Sequence, residues 1–172
     1  LIDSAPVALA FNTDGTKMFF LGASNDKVNE YTLSTGFDIS TASYVDGFSI
    51  SSDFAPYGLV FNPDGTKMFL MDAYDDDIHE YTLSTGFDVS TASVSGSFVQ
   101  TKDTSPVGLS FNPDGTKMFI TGTGSNSIHE FALTTPYSLV DVSGEHSGDV
   151  IDTNSTTNYD TDVDVETLTV TA

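Results

Sequence analysis

The chain is 172 residues long and sets 25 acidic residues against five lysines and no arginine, a formal charge of −20. That balance excludes nucleic acid as a partner, because phosphate binding needs Lys or Arg patches, and it disfavours anionic membrane surfaces. With no cysteine there is neither a disulfide framework nor a thiol nucleophile, and no apolar run approaches the length that inserts into a membrane.

In chain order, a first strand is expected over Val7–Phe11, entered through a proline whose missing N–H does little harm at a strand start. The turn Asn12-Thr13-Asp14-Gly15 follows, with Gly15 expected at positive φ. A second strand, Met-Phe-Phe-Leu after Lys17, is apolar on consecutive positions, so both of its faces must be covered. A polar loop, Ala23–Asp26, leads to a third strand through Val-Asn-Glu-Tyr-Thr-Leu, and a weaker fourth strand covers about Tyr44–Ser51.

The series then begins again. FNTDGTKMF at Phe11 returns as FNPDGTKMF at Phe61 and Phe111, fifty residues apart each time, and a fixed period of this length marks a repeat architecture. The first strand carries Ala8, Gly58 and Gly108 at one position, where neighbouring backbones come close. The predicted fold is all-β: three four-stranded antiparallel β-propeller blades, at about 1–50, 51–100 and 101–150. The rings of Phe11, Phe19, Phe61, Phe69, Phe111 and Phe119 are expected between blades. Propellers typically close with four to eight blades, so the ring is incomplete in one chain. Either further blades precede Leu1, the favoured alternative, or two chains complete a six-bladed ring.

These units resemble the NPDGTKMF…YTLST propeller repeats of large extracellular and phage-associated proteins, related in style to TolB and YVTN blades. After Val150 the phrases stop. Residues 151–172 read as a linker and the first strand of a following module, and Gly148-Asp149-Val150 with Asp160–Thr171 resembles the opening of a VCBS or cadherin-like repeat. That resemblance implies a secreted, modular bacterial protein of the adhesin type, at the cell or virion surface.

Candidate chemistry is sparse. Asp160, Asp162, Asp164 and Glu166 alternate, so an extended segment points all four carboxylates to one side, a donor set that suits Ca²⁺; a solvated acidic strand is the equal alternative. Asp75, Asp76 and Asp77 lie where the other units have Asn25-Asp26 and Ser125-Asn126, which marks a variable loop of the kind that carries binding specificity. His79 and His129 recur at one position, each followed by Glu; neighbours on a strand face opposite ways, so a structural role is favoured over a metal or proton-transfer pair. His146 stands alone, with no third member for a triad. No nucleophile elbow, phosphate loop or zinc-binding motif is present.

The leading functional expectation is therefore non-catalytic: an adhesion or interaction scaffold that meets a glycan or protein through Asn25, Asp26, Asp75, Asp76, Asp77 and Asn126. The alternatives are a filament subunit that self-associates through open blade edges and, third, a polysaccharide-degrading enzyme.

Overall fold

The computed structural model describes residues 3–50, 55–100, 103–140 and 142–149. Three four-stranded antiparallel sheets fill this range. The first holds β1 (Pro6–Phe11), β2 (Lys17–Gly22), β3 (Lys27–Leu33) and β4 (Ala42–Ser49) in sequence order. The second holds β5 (Pro56–Phe61), β6 (Lys67–Asp72), β7 (Asp77–Leu83) and β8 (Ala92–Val99). The third holds β9 (Pro106–Phe111), β10 (Lys117–Gly122), β11 (Ser127–Leu133) and β12 (Val142–Asp149). This is the expected arrangement of propeller blades in an incomplete ring. Strand bounds differ from expectation mainly at the outer strand, which begins at Ala42 rather than Tyr44, straight after a short 3-10 turn at Ile39–Thr41. The second blade repeats that turn at Val89–Thr91.

The hairpin turns behave as the Asp-Gly pairs require. Gly15, Gly65 and Gly115 have φ of 72°, 71° and 71°. Asp14, Asp64 and Asp114 each accept from the N–H and hydroxyl of the threonine two residues on. These bonds hold the three carboxyls below the usual carboxylate range. Phe37, Phe87 and Tyr137 also take positive φ, and each lies on the glycine of its own blade, where a Cβ would collide with the ring.

The hydrophobic core lies between blades. Phe19, Leu21 and Val28 of the first blade pack on Leu59, Met68, Leu70, Tyr81, Leu83 and Val89 of the second. Phe69, Met71 and Ile78 meet Met118, Ile120, Phe131, Leu133 and Leu139 of the third in the same way. Consecutive apolar residues of β2 and β6 are buried on both faces, as their sequence predicts. The inner strands approach closely at Gly58, where a Cβ would sit 3.1 Å from that of Met71 and 3.3 Å from that of Leu109.

The six phenylalanines are only partly as expected. Phe19 and Phe69 are fully buried, with ring centroids 4.6 Å from Phe61 and Phe111 of the next blade. The other four, Phe11, Phe61, Phe111 and Phe119, are half-buried. Phe119 differs from Phe19 and Phe69 because no described blade follows the third.

Each blade is also bolted to the next by a charged clamp. Lys17 Nζ lies 2.7 Å from Glu30 Oε1 and donates to the Phe87 carbonyl at 2.5 Å, while Glu30 Oε2 accepts from the Val89 N–H at 3.0 Å. Fifty residues on, Lys67 pairs with Glu80 at 2.8 Å and donates to the Tyr137 carbonyl at 2.7 Å; Glu80 Oε2 accepts from the Leu139 N–H at 2.8 Å. The glutamates of the His-Glu and Asn-Glu pairs are thus structural, as expected. What they join is neighbouring blades.

Candidate functional site

The end of the blades opposite the Asp-Gly turns gathers the residues that differ most between repeats. It is formed by the segments that enter β1, β5 and β9 together with the β2–β3, β6–β7 and β10–β11 loops. Asp26, Asp76 and Asn126 occupy one loop position at φ of 51°, 57° and 55°, a left-handed conformation that Asp and Asn tolerate. The carbonyls of Asp26 and Asp76 accept from the N–H groups of Ile50 and Gln100. These residues therefore shape the turns. Asn25 is half-buried and donates through Nδ2 to Asn29 Oδ1 at 3.4 Å, and Asp75 is exposed.

Sequence reasoning missed a buried carboxylate in each blade that ties the entering segment to the loop. Asp3 accepts from the N–H groups of Ala5 and Asn25 at 2.6 and 2.7 Å. Asp103 accepts from Ser105 and Gly124 on Oδ1 at 2.8 and 3.0 Å, and on Oδ2 from the N–H and hydroxyl of Ser125. Glycine leaves room for both carboxyls: a Cβ at Gly22 or Gly122 would run into Asp3 or Asp103. The second blade has Asp72 at that glycine position. Its Oδ1 accepts from Ala55 and Tyr74, both at 2.9 Å, the counterparts of the N–H groups held in the third blade. One carboxylate thus serves the same backbone donors from two different chain positions. Aspartate recurring at 3, 53 and 103, with glycine at 22 and 122, is the signal that could have exposed this.

The third blade carries the richest group. His129, buried, places Nε2 3.1 Å from Ser125 Oγ and 4.0 Å from Asp103 Oδ2. Gln100 closes the far side, donating from Nε2 to the Asp103 carbonyl at 2.6 Å and accepting the Asp103 N–H at 3.1 Å. Burial alone would raise the Asp103 pKa, but the bonds from Ser125, Ser105 and Gly124 outweigh it and leave the group below its usual value. In the second blade Asp77 is pushed up, first by burial. The nearby His79, 3.9 Å away, opposes that shift, and the negative field of Asp75, Asp72 and Asp76 adds to it.

A lowered carboxyl stabilises the folded state only while ionised. The Asp103 contribution is complete above the unfolded value near 3.8 and is lost as pH falls through the lower folded pKa. Asp103→Asn is therefore expected to cost roughly 1.5–3 kcal/mol at neutral pH, the worth of hydrogen bonds to a charged group. The difference from wild type should narrow in melts below pH 4; a gap constant from pH 7 to pH 2.5 would refute the assignment.

Among the described residues no group of three or more His, Asp or Glu side chains could hold a metal ion. The proposed calcium set Asp160, Asp162, Asp164 and Glu166 lies outside the described residues, as does all of 151–172.

No family model matches the chain, and no curated protein matches it. Solved structures do. A periplasmic gluconolactonase of Pseudomonas aeruginosa superposes over 86% of this chain and 40% of its own, with a TM-score of 0.62 and 17% identity. A Bacteroides fragilis protein, provisionally named a 6-phosphogluconolactonase, covers 84% of this chain and 39% of its own at TM-score 0.65 and 15% identity. The β-propeller domain of Swd1 from Myceliophteria thermophila gives a TM-score of 0.57 over 75% of this chain and 40% of its own, at 9% identity. The chain thus spans about 40% of the length of the structures it resembles, and their shared architecture is the β-propeller. The expectation of a non-catalytic adhesion or filament module, and of no enzyme, is corrected by these neighbours: leading matches bear the names of lactone-hydrolysing enzymes. That expectation rested on the absence of enzyme motifs, and a fold that hosts many unrelated activities gives such an absence no weight.

Proposed function

We propose that these blades form part of a hydrolytic propeller that opens the ring ester of a sugar-acid lactone with water. The observation that carries it is the agreement in fold with the two gluconolactonase-named structures over 84% and 86% of this chain. The polar end of the third blade is chemically suited to the step. The Ser125 hydroxyl is exposed and lies between Asp103 and His129 Nε2; when it turns its proton from Asp103 to a neutral His129 Nε2, it can relay the proton of a water molecule to the imidazole. The water oxygen bonds to the ester carbon, the ring C–O bond breaks, and the proton ends on the departing ring oxygen. One neighbour is named as periplasmic, which supports a place outside the cytoplasm for this chain as well.

The test is acid release from glucono-δ-lactone in a pH-stat near pH 6, above the spontaneous rate. Turnover that falls at least tenfold in His129→Ala, with the fold intact by circular dichroism, supports the proposal. A wild-type rate equal to the buffer blank overturns it.

A further inference from the structure

We propose that Tyr57 and Tyr74 of the second blade form a platform on which an uncharged sugar ring lies flat, its hydroxyl groups turned to the carboxylate of Asp75. This assignment rests on the lactonase reading and deepens it: the platform is the subsite that holds the ring of the lactone beside Ser125.

The two residues are not required by the repeat. Tyr57 takes the place of Val7 and Val107, and Tyr74 that of Ser24 and Gly124, so neither is needed to build a blade. Both belong to the middle blade, which packs on a described neighbour at each side, so their exposure does not come from where the array begins or ends. Tyr57 is 47% exposed and Tyr74 73%. Tyr31, Tyr44, Tyr81 and Tyr137 each lie against another aromatic ring. Among the described residues the rings of Tyr57 and Tyr74 do not, and neither hydroxyl is hydrogen-bonded.

The backbone brings the pair together at the polar end. Strand β5 pairs with β6 at Pro56–Asp72 and next at Gly58–Met71, which leaves Tyr57 as the extra residue of a bulge. Bulges commonly re-aim a side chain beside a site. Asp72 then fastens both tyrosine-bearing segments to one point. Its Oδ1 accepts from Tyr74 and from Ala55, two residues before Tyr57, both at 2.9 Å. The Ala73 N–H adds a bond to the Ala55 carbonyl at 2.9 Å. Asp75, exposed, follows Tyr74 directly. On the other flank Gly58, next after Tyr57, abuts Leu109 of β9, the strand into which the Asp103 segment leads. The platform and the Asp103–Ser125–His129 group thus share one end of two adjoining blades.

The chemistry selects the ligand. The face of an aromatic ring is apolar and electron-rich, which suits the C–H side of a sugar ring, and sites for small molecules join such walls to a few placed polar groups. Asp75 accepts hydroxyl donors. Asp72, Asp75, Asp76 and Asp77 lie within one another's field, which favours a ring without negative charge. A lactone is such a ring, and the acid it opens to is not.

Calorimetric titration of the full chain with glucono-δ-lactam, which has the shape of the lactone but an amide that resists hydrolysis, reads the platform apart from catalysis. Saturable binding is expected. It should weaken at least tenfold in Tyr57→Ala and in Tyr74→Ala, and stay within twofold of wild type in Tyr57→Phe, which retains the ring face. Ser24→Ala, at the position of Tyr74 in the first blade, should leave affinity unchanged. In the pH-stat both alanine variants should raise KM for glucono-δ-lactone at least tenfold with kcat little altered. No saturable heat, or equal affinity in wild type and both alanine variants, overturns the proposal. So does Tyr57→Phe binding as weakly as Tyr57→Ala, which would assign the contact to the hydroxyl. Tyrosine-dependent binding of the lactam without lactone turnover leaves the platform standing and refutes the hydrolase; turnover with unchanged KM in both alanine variants does the reverse.

Discussion

Phe69→Ala is expected to remove about 3–5 kcal/mol of stability, the range for deleting a large side chain from a packed site. The ring is fully buried between the second and third blades, 4.6 Å from Phe111 and within the cluster that includes Met118, Ile120 and Phe131. Truncation leaves a cavity walled on both sides by separate sheets, which can collapse only if the blades shift together. Tyr57→Ala is the control: this exposed side chain on the neighbouring inner strand should change stability by no more than about 0.5 kcal/mol. Urea denaturation of both variants measures the difference. Equal midpoints would contradict packing between blades as the main source of stability.

Glu80→Ala is the second large effect, at roughly 2–3 kcal/mol. Breaking a buried ion pair commonly costs more, about 3–5 kcal/mol. Here Lys67 retains the Tyr137 carbonyl and a quarter of its side-chain surface in water, which softens the loss. The Leu139 N–H has no such recourse. It is buried, and an unsatisfied buried donor costs about 1–3 kcal/mol by itself. Glu80→Gln, which keeps an acceptor for Leu139, should recover part of the loss. If Ala and Gln variants melt together, the N–H bond contributes nothing and the clamp is only an ion pair.

Much of the fold could be read from local chemistry. The Asp-Gly pairs fix the turns because only glycine is comfortable at the φ near 71° found there. The unbroken apolar run in β2 and β6 requires cover on both faces, and it has it. The clamp was legible in part. Lysine at 17, 67 and 117 and glutamate at 30, 80 and 130 keep one separation, but sequence does not say that the carboxylate also caps a turn in the following blade. The polar end was the least legible. Asp72 does the work of Asp3 and Asp103 from another position, and a repeat alignment, which compares like with like, conceals that exchange. His129 was set aside as structural because its neighbour Glu130 faces away; its partners Ser125 and Asp103 come from a loop and from the segment before β9.

The exchange at Asp72 also determines which connections can be rewritten. In the third blade the anchoring carboxylate belongs to the segment that leads into β9, so grafting a foreign loop there deletes the anchor and strands the N–H groups of Ser105, Gly124 and Ser125. In the second blade the anchor is rooted at the end of β6, inside a strand, and its Oδ1 holds backbone N–H groups of both connections, at Ala55 and Tyr74. Any residue but proline offers those N–H groups, so at Asp72 the anchor and the side chains of the segments it fastens can vary separately, which the third blade does not allow.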